Sequence, residues 1–179
     1  MNFARVLDEV GRFMEARGLR FGVVGAVGLQ AYGLARATSD LDFVVEAAAQ
    51  QELCAHLESL GYETIHRSAG YSNHVHALPA LGRLDFVYVD EQTAERMFGG
   101  ARSMELLPGR AFRVPRPEHL AAMKVLAMRN DPGRTFQEMA DIQFLLGLPG
   151  VDEEEIRASF VKHGLLERFL EIKRTTSRP

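Results

Sequence analysis

An apolar run at Phe21, Val23 and Val24 leads directly into Gly25-Ala26, and thirteen residues later Asp40-Leu41-Asp42-Phe43-Val44 opens the next apolar run. This pairing constrains the chain more than any other feature. It sets a glycine-started turn after one candidate strand and two carboxylates one residue apart on the next. Strand side chains alternate faces, so Asp40 and Asp42 project on the same side. Like charges held that close repel, and burying either without compensation is costly. Some cation is needed, and hard oxygen ligands with open positions suit Mg²⁺, which commonly takes one or two carboxylates plus substrate phosphates. A glycine turn feeding a helix N-terminus offers backbone N–H groups to those phosphates. The segment therefore reads as a site for a nucleoside triphosphate.

Periodicity organises the rest. Phe3, Val6, Leu7, Val10, Phe13 and Met14 form a helical stripe over 2–17, stopped by Gly18. Residues 20–24 read as a strand, 26–34 as a short helix, 40–46 as a second strand and 48–60 as a helix ending at Gly61. Three β-like runs follow at 62–66, 73–78 and 83–89, the last carrying Asp85. A helical turn is expected over 91–98. The stretch 101–114 is ambiguous, with a turn at Pro108-Gly109 and room for one short edge strand. After Pro115 and Pro117 the pattern is helical to the end: 117–130, 134–147, and one long helix over 152–174 with an acidic start and a basic finish, as the helix dipole favours. The expected fold class is thus α/β (α+β), a mixed twisted sheet flanked by helices. It divides into a core over 1–114 and a helical C-terminal region over 115–179 packed on that core.

Composition narrows the function. A net charge of −3 excludes a generally basic nucleic-acid binder. The cations are nearly all arginine, with lysine only at 124, 162 and 173. A single cysteine, Cys54, rules out an internal disulfide and suits a reducing compartment. No basic-then-apolar leader is evident and no apolar run approaches membrane-spanning length, so the expectation is a cytoplasmic protein without a membrane partner.

Gly25-Ala26, Asp40-x-Asp42 and the later strand carboxylate Asp85 together resemble the nucleotidyltransferase superfamily of DNA polymerase β-like proteins. Within it, Arg36-x-Thr38-x-Asp40-x-Asp42 with the later Lys124 and Asp141 looks like the AbiEii/AbiGii (MenT-like) toxin group. The resemblance covers about 26–90 by motif, with a weaker match in the helical tail. It departs at Ala26, where the group usually has a second glycine or a serine. It implies a nucleotidyltransferase that moves an NMP from an NTP to a hydroxyl acceptor with release of pyrophosphate, using Mg²⁺. Asp40, Asp42 and Asp85 would be the metal-binding and catalytic carboxylates, Asp85 on the acceptor side. Gly25, Ala26, Arg36, Thr38 and Ser39 would bind the nucleotide. Lys124 and Asp141 would complete the catalytic set, the lysine neutralising charge on the transferring phosphate. In that group the acceptor is often tRNA and an antitoxin protein is the partner. Arg110, Arg113, Arg116, Arg129 and Arg134 form a candidate local RNA patch.

Other readings stand beside these. Small transferases of the same fold modify antibiotic hydroxyls or protein side chains, and a non-catalytic nucleotide-binding module keeps the fold without turnover. Arg36 fits a helix cap equally well. Lys124, among Leu120, Met123 and Val125, also fits a core-edge lysine, with Asp141 its ion-pair partner across two helices. His74 and His76 share a strand face, but no third ligand stands at metal spacing, so they read as sheet histidines. Tyr71 and Tyr88 read as packing or rim residues.

Overall fold

The computed structural model describes residues 1–176, which divide into two compact units, the first ending at Pro115 and the second beginning at Arg116. The first unit runs α1 (Phe3–Ala16), β1 (Phe21–Val23), α2 (Gly25–Ala31), β2 (Asp40–Glu46), α3 (Gln50–Ser59), β3 (Tyr62–Arg67), β4 (Tyr71–His76), β5 (Arg83–Val89), α4 (Glu91–Gly99), β6 (Arg102–Leu107) and β7 (Arg110–Val114). Five strands form one sheet in the order β1-β2-β5-β4-β3. β2 and β5 are parallel and every other pair is antiparallel, so the sheet is mixed.

Alternation sorts that sheet into two chemically distinct faces. Leu41, Phe43 and Val45 of β2 and Leu84, Phe86 and Tyr88 of β5 point into a core shared with Val6, Leu7, Val10, Phe13 and Met14 of α1 and Leu53 and Leu57 of α3. Phe43 and Phe86 stack at 5.2 Å between centroids. Fully burying side chains of this kind contributes about 1.5–3 kcal/mol each, so the core fixes the register of the two central strands. Asp40, Asp42 and Asp85 occupy the intervening positions and therefore fall together on the opposite face. A second anchor locks the edge: Arg20, beside β1, donates to Glu46 of β2 at 2.8 and 2.9 Å and to Glu95 of α4 at 2.5 Å.

The ambiguous stretch after α4 forms a two-stranded hairpin, β6 with β7, rather than a single edge strand. Its turn is Pro108-Gly109, with Gly109 at φ +70° and its N–H donating to the Glu105 carboxylate at 2.9 Å. Phe112 is what ties it down, buried edge-on against Phe21.

The second unit contains α5 (Pro117–Asn130), α6 (Thr135–Leu146), α7 (Glu153–Lys162) and α8 (Leu166–Thr176). The long helix expected over 152–174 is broken in two. Gly164 adopts φ +70°, and Leu165 N–H returns to the Phe160 carbonyl at 2.9 Å, closing α7 with a left-handed cap. At the other end Asp152 accepts from Glu155 N–H at 3.1 Å as an N-cap. Among the described residues, no helix is long and apolar enough to cross a membrane.

Candidate active site

Cross-strand register lays the polar face out as a small grid. Asp42 of β2 is opposite Asp85 of β5, which is opposite Asn73 of β4; two residues earlier, Asp40 is opposite Arg83, which is opposite Val75. Neighbouring strands stand about 4.8 Å apart, so the three carboxylates and Arg83 are immediate neighbours. Like charges directly opposite each other destabilise a sheet, and this row needs compensation. Arg83 supplies part of it: its Nε donates to Asp85 Oδ1 at 2.9 Å and Oδ2 at 3.0 Å. Asn73 Nδ2 donates to Asp85 Oδ1 at 2.8 Å. The Asp85 bond raises the Arg83 pKa above its ordinary value, with the charges of Asp40 and Asp42 adding to the effect.

The glycine turn is built around Asp42. Gly25 has φ +58°, and a Cβ placed there would lie 1.9 Å from Asp42 Oδ2. The carboxylate thus fills the space that every other residue would need. Val24, just before it, donates its N–H to the Asp42 carbonyl at 3.0 Å, fastening the turn to β2. Ala26 is buried behind it. On the approach to β2, the Thr38 hydroxyl donates to the Asp40 carboxylate, which it holds in place. Ser39 is exposed, and the Arg36 carbonyl accepts from Gln30 Nε2 at 2.8 Å.

Do these residues suit a divalent ion? The donors are hard oxygens on one face, the glycine leaves a cradle for one of them, and a guanidinium already rests against another. Donor chemistry and charge both fit Mg²⁺. The set is nevertheless not closed. Asp85 is turned to Arg83 and Asn73, and among the described residues no group of three His, Cys, Asp or Glu side chains stands at metal-holding distance.

Lys124 and Asp141 belong to the second unit, where they meet each other. The buried ammonium of Lys124 donates to Asp141 Oδ2 at 2.6 Å and to Glu138 Oε2 at 2.7 Å, tying α5 to α6. All three side chains are buried, and Arg134 meets the other Glu138 oxygen at 2.6 Å. Four of the five arginines read as an RNA patch have local engagements. Arg110 pairs with Asp8 and Glu15, Arg116 with Glu155, and Arg134 with Glu138, while Arg129 donates to the His163 carbonyl. Arg113 is exposed on β7.

His74 is fully buried on the core face of β4, between Ser72 Oγ at 2.8 Å and Thr64 Oγ1 at 3.0 Å, and burial lowers its pKa. Tyr88 is also on that side, its hydroxyl 2.7 Å from Ser72 Oγ. Cys54 is buried beside both. These groups face away from the carboxylates. Tyr71, in contrast, is exposed on the polar side and stacks on His66 at 4.6 Å. Arg83 and Asn73 were not among the residues singled out from sequence. The signal was present in Arg83-x-Asp85, where alternation puts both side chains on one face.

With a mixed sheet carrying these carboxylates beneath a glycine turn, the chain has the nucleotidyltransferase fold. It superposes on the antibiotic-resistance factor ANT(2'')-Ia with a TM-score of 0.68 at 13% identity, covering 98% of each chain. It is likewise similar to the lincosamide antibiotic adenylyltransferase LnuA (TM-score 0.57, 16% identity, 80% of this chain and 96% of that one). A third such structure is an antigenic nucleotidyltransferase-like protein from Paracoccidioides brasiliensis (TM-score 0.57, 14% identity, 97% of this chain and 91% of that one). No protein-family profile and no curated protein matches the sequence.

Proposed function

We propose that the protein is a nucleotidyltransferase that moves an NMP from an NTP to a hydroxyl of a small cationic acceptor. The observation that carries this reading is the placement of Asp42 against Gly25, directly across from Asp85. In the transfer, the acceptor oxygen forms a bond to the α-phosphorus as the bond to the bridging oxygen breaks, and pyrophosphate departs with that electron pair. Asp85 would take up the hydroxyl proton, with Asn73 orienting its carboxylate. Thr38 fixes Asp40, while Gly25, Ala26, Arg36 and Ser39 line the nucleotide side. The chemistry a bound Mg²⁺ supplies is neutralisation of the triphosphate and polarisation of the phosphorus under attack, with Asp40 and Asp42 the residues that would hold it. Lys124 and Asp141 serve the reading, together with Glu138, as the ion triad that fixes α5 on α6.

The choice of a small acceptor draws on two points. ANT(2'')-Ia has been solved in complex with adenylyl-2''-tobramycin and LnuA with lincomycin bound, and the former likeness extends over nearly the whole chain, including the terminal helices. The acidic balance of this chain favours a cationic partner. A toxin that modifies tRNA, with an antitoxin partner, uses the same carboxylates on a different acceptor. The local pairing of Arg110, Arg116 and Arg134 weighs against it.

The test is incubation of the protein with each α-³²P-labelled NTP, Mg²⁺ and, in separate arms, an aminoglycoside and lincosamide panel or total tRNA. Label should pass to a small acceptor, and Asp42→Asn should reduce transfer by at least about a thousandfold. Label on tRNA alone would move the assignment to the toxin reading. Transfer equal in wild type and Asp42→Asn would defeat both.

A further inference from the structure

The grid contains one cation where the proposed reaction calls for a metal. Arg83 reaches from the same face of the same strand to grip Asp85 by both oxygens, at 2.9 and 3.0 Å. Across the strand pair it is opposite Asp40, and the charges of both Asp40 and Asp42 reach its guanidinium. Its side chain is nevertheless 47% exposed, whereas that of Asp85 is 19% exposed. The arginine therefore lies over the carboxylate row from the solvent side rather than being built into the core. Among the described residues, its side-chain hydrogen bonds go to Asp85.

Resting on the proposed nucleotidyltransferase reading, we infer that Arg83 is a resident counter-ion that competes with a divalent cation for Asp85 and so sets the cation affinity of the site. A divalent ion taking both Asp85 oxygens would displace the guanidinium Nε that now bridges them. With the guanidinium in place, Asp85 is screened and the row is stable without metal. Once the guanidinium swings outward, Asp85 joins Asp40 and Asp42 as a hard-oxygen donor set. Its exposed position makes that swing inexpensive, because the departing charge moves into water. Asn73 remains on Asp85 Oδ1 in either arrangement and keeps the carboxylate from following the arginine. Arg83 is thus a positioning residue, and removing its positive charge strengthens cation binding.

The measurement is Mn²⁺ affinity by titration with electron paramagnetic resonance detection, in the absence of nucleotide, on wild type, Arg83→Gln and Arg83→Lys. Arg83→Gln should bind Mn²⁺ roughly five- to tenfold tighter than wild type, the scale of one partly exposed charge pair. Arg83→Lys keeps the charge but loses the Nε donor shared by both Asp85 oxygens, and should fall between the two. Thermal denaturation with and without Mn²⁺ provides a second readout, in which the ion should stabilise Arg83→Gln more than wild type. Equal or weaker Mn²⁺ binding by Arg83→Gln would overturn the inference while leaving the metal reading intact. Absence of Mn²⁺ binding in all three proteins would overturn the metal reading, and this inference with it.

Discussion

The carboxylate of Asp42 rests on Gly25, so closely that a Cβ at position 25 would lie 1.9 Å from Oδ2 and 2.8 Å from the aspartate Cβ. Two constraints coincide at one glycine: a left-handed backbone at φ +58° and no space for a side chain. Gly164, at φ +70°, has the first constraint without the second, since nothing lies within 4 Å of a Cβ there.

That contrast gives the first prediction. Gly164→Ala should cost only the backbone term, about 1–2 kcal/mol. Gly25→Ala should cost that and a steric term, together roughly 2–5 kcal/mol, because either Asp42 or the turn must move. Urea denaturation of the two variants measures the difference directly. Equal losses would mean that the Asp42 carboxylate relaxes freely away from the turn.

A second prediction concerns the buried triad of the helical unit. Lys124 meets Asp141 at 2.6 Å and Glu138 at 2.7 Å, with all three side chains out of water. Lys124→Met would leave two acidic groups buried without their shared cation, and the expected loss is about 3–5 kcal/mol. The triple replacement Lys124→Met, Glu138→Gln, Asp141→Asn should recover part of it, because no net charge is then stranded. Thermal melts compare the two. A reaction step at Lys124 would show in activity instead, with transfer lost at permissive temperature in both variants and no recovery in the triple.

Much of this was legible from sequence, for reasons that can be stated residue by residue. Asp40 and Asp42 share a face because strands alternate, and the spacing from the glycine turn points to a carboxylate beside it, which is Asp42. The parallel pairing that puts Asp85 beside Asp42 depends on β5 displacing β3 from the neighbouring slot, a long-range choice that no local pattern encodes. The pairing of the hairpin over 102–114 is not encoded locally, because Phe112 is anchored by Phe21, far away in sequence. The break at Gly164 is masked by the continuous helical pattern on either side, although a glycine is a stop signal. Arg83 is not legible locally because its meaning comes from its neighbours: Asp40 across the sheet and, two positions along its own strand, Asp85.

The last prediction is a pH dependence centred on His74. This imidazole is fully buried between Ser72 and Thr64, and desolvation lowers its pKa in the folded state. His56 and His163 shift the same way, also through burial. An unfolded histidine takes up its proton near pH 6.5. As pH falls through that value, the unfolded chain binds protons that the folded chain refuses, so stability declines with falling pH until the folded imidazoles also titrate. Each histidine contributes a slope of at most about 1.4 kcal/mol per pH unit. The carboxylates depressed by their partners, such as Glu46 beside Arg20, act in a separate window. Their stabilisation is present above the ordinary carboxylate range and is lost only as pH falls through their lowered folded values. Urea midpoints should therefore drop between pH 7.5 and 5.5. His74→Asn, although less stable throughout because it loses two hydroxyl contacts, should show a shallower decline over that interval. An unchanged slope would mean that the His74 pocket accepts the charged ring, with Ser72 and Thr64 turning their oxygens to it.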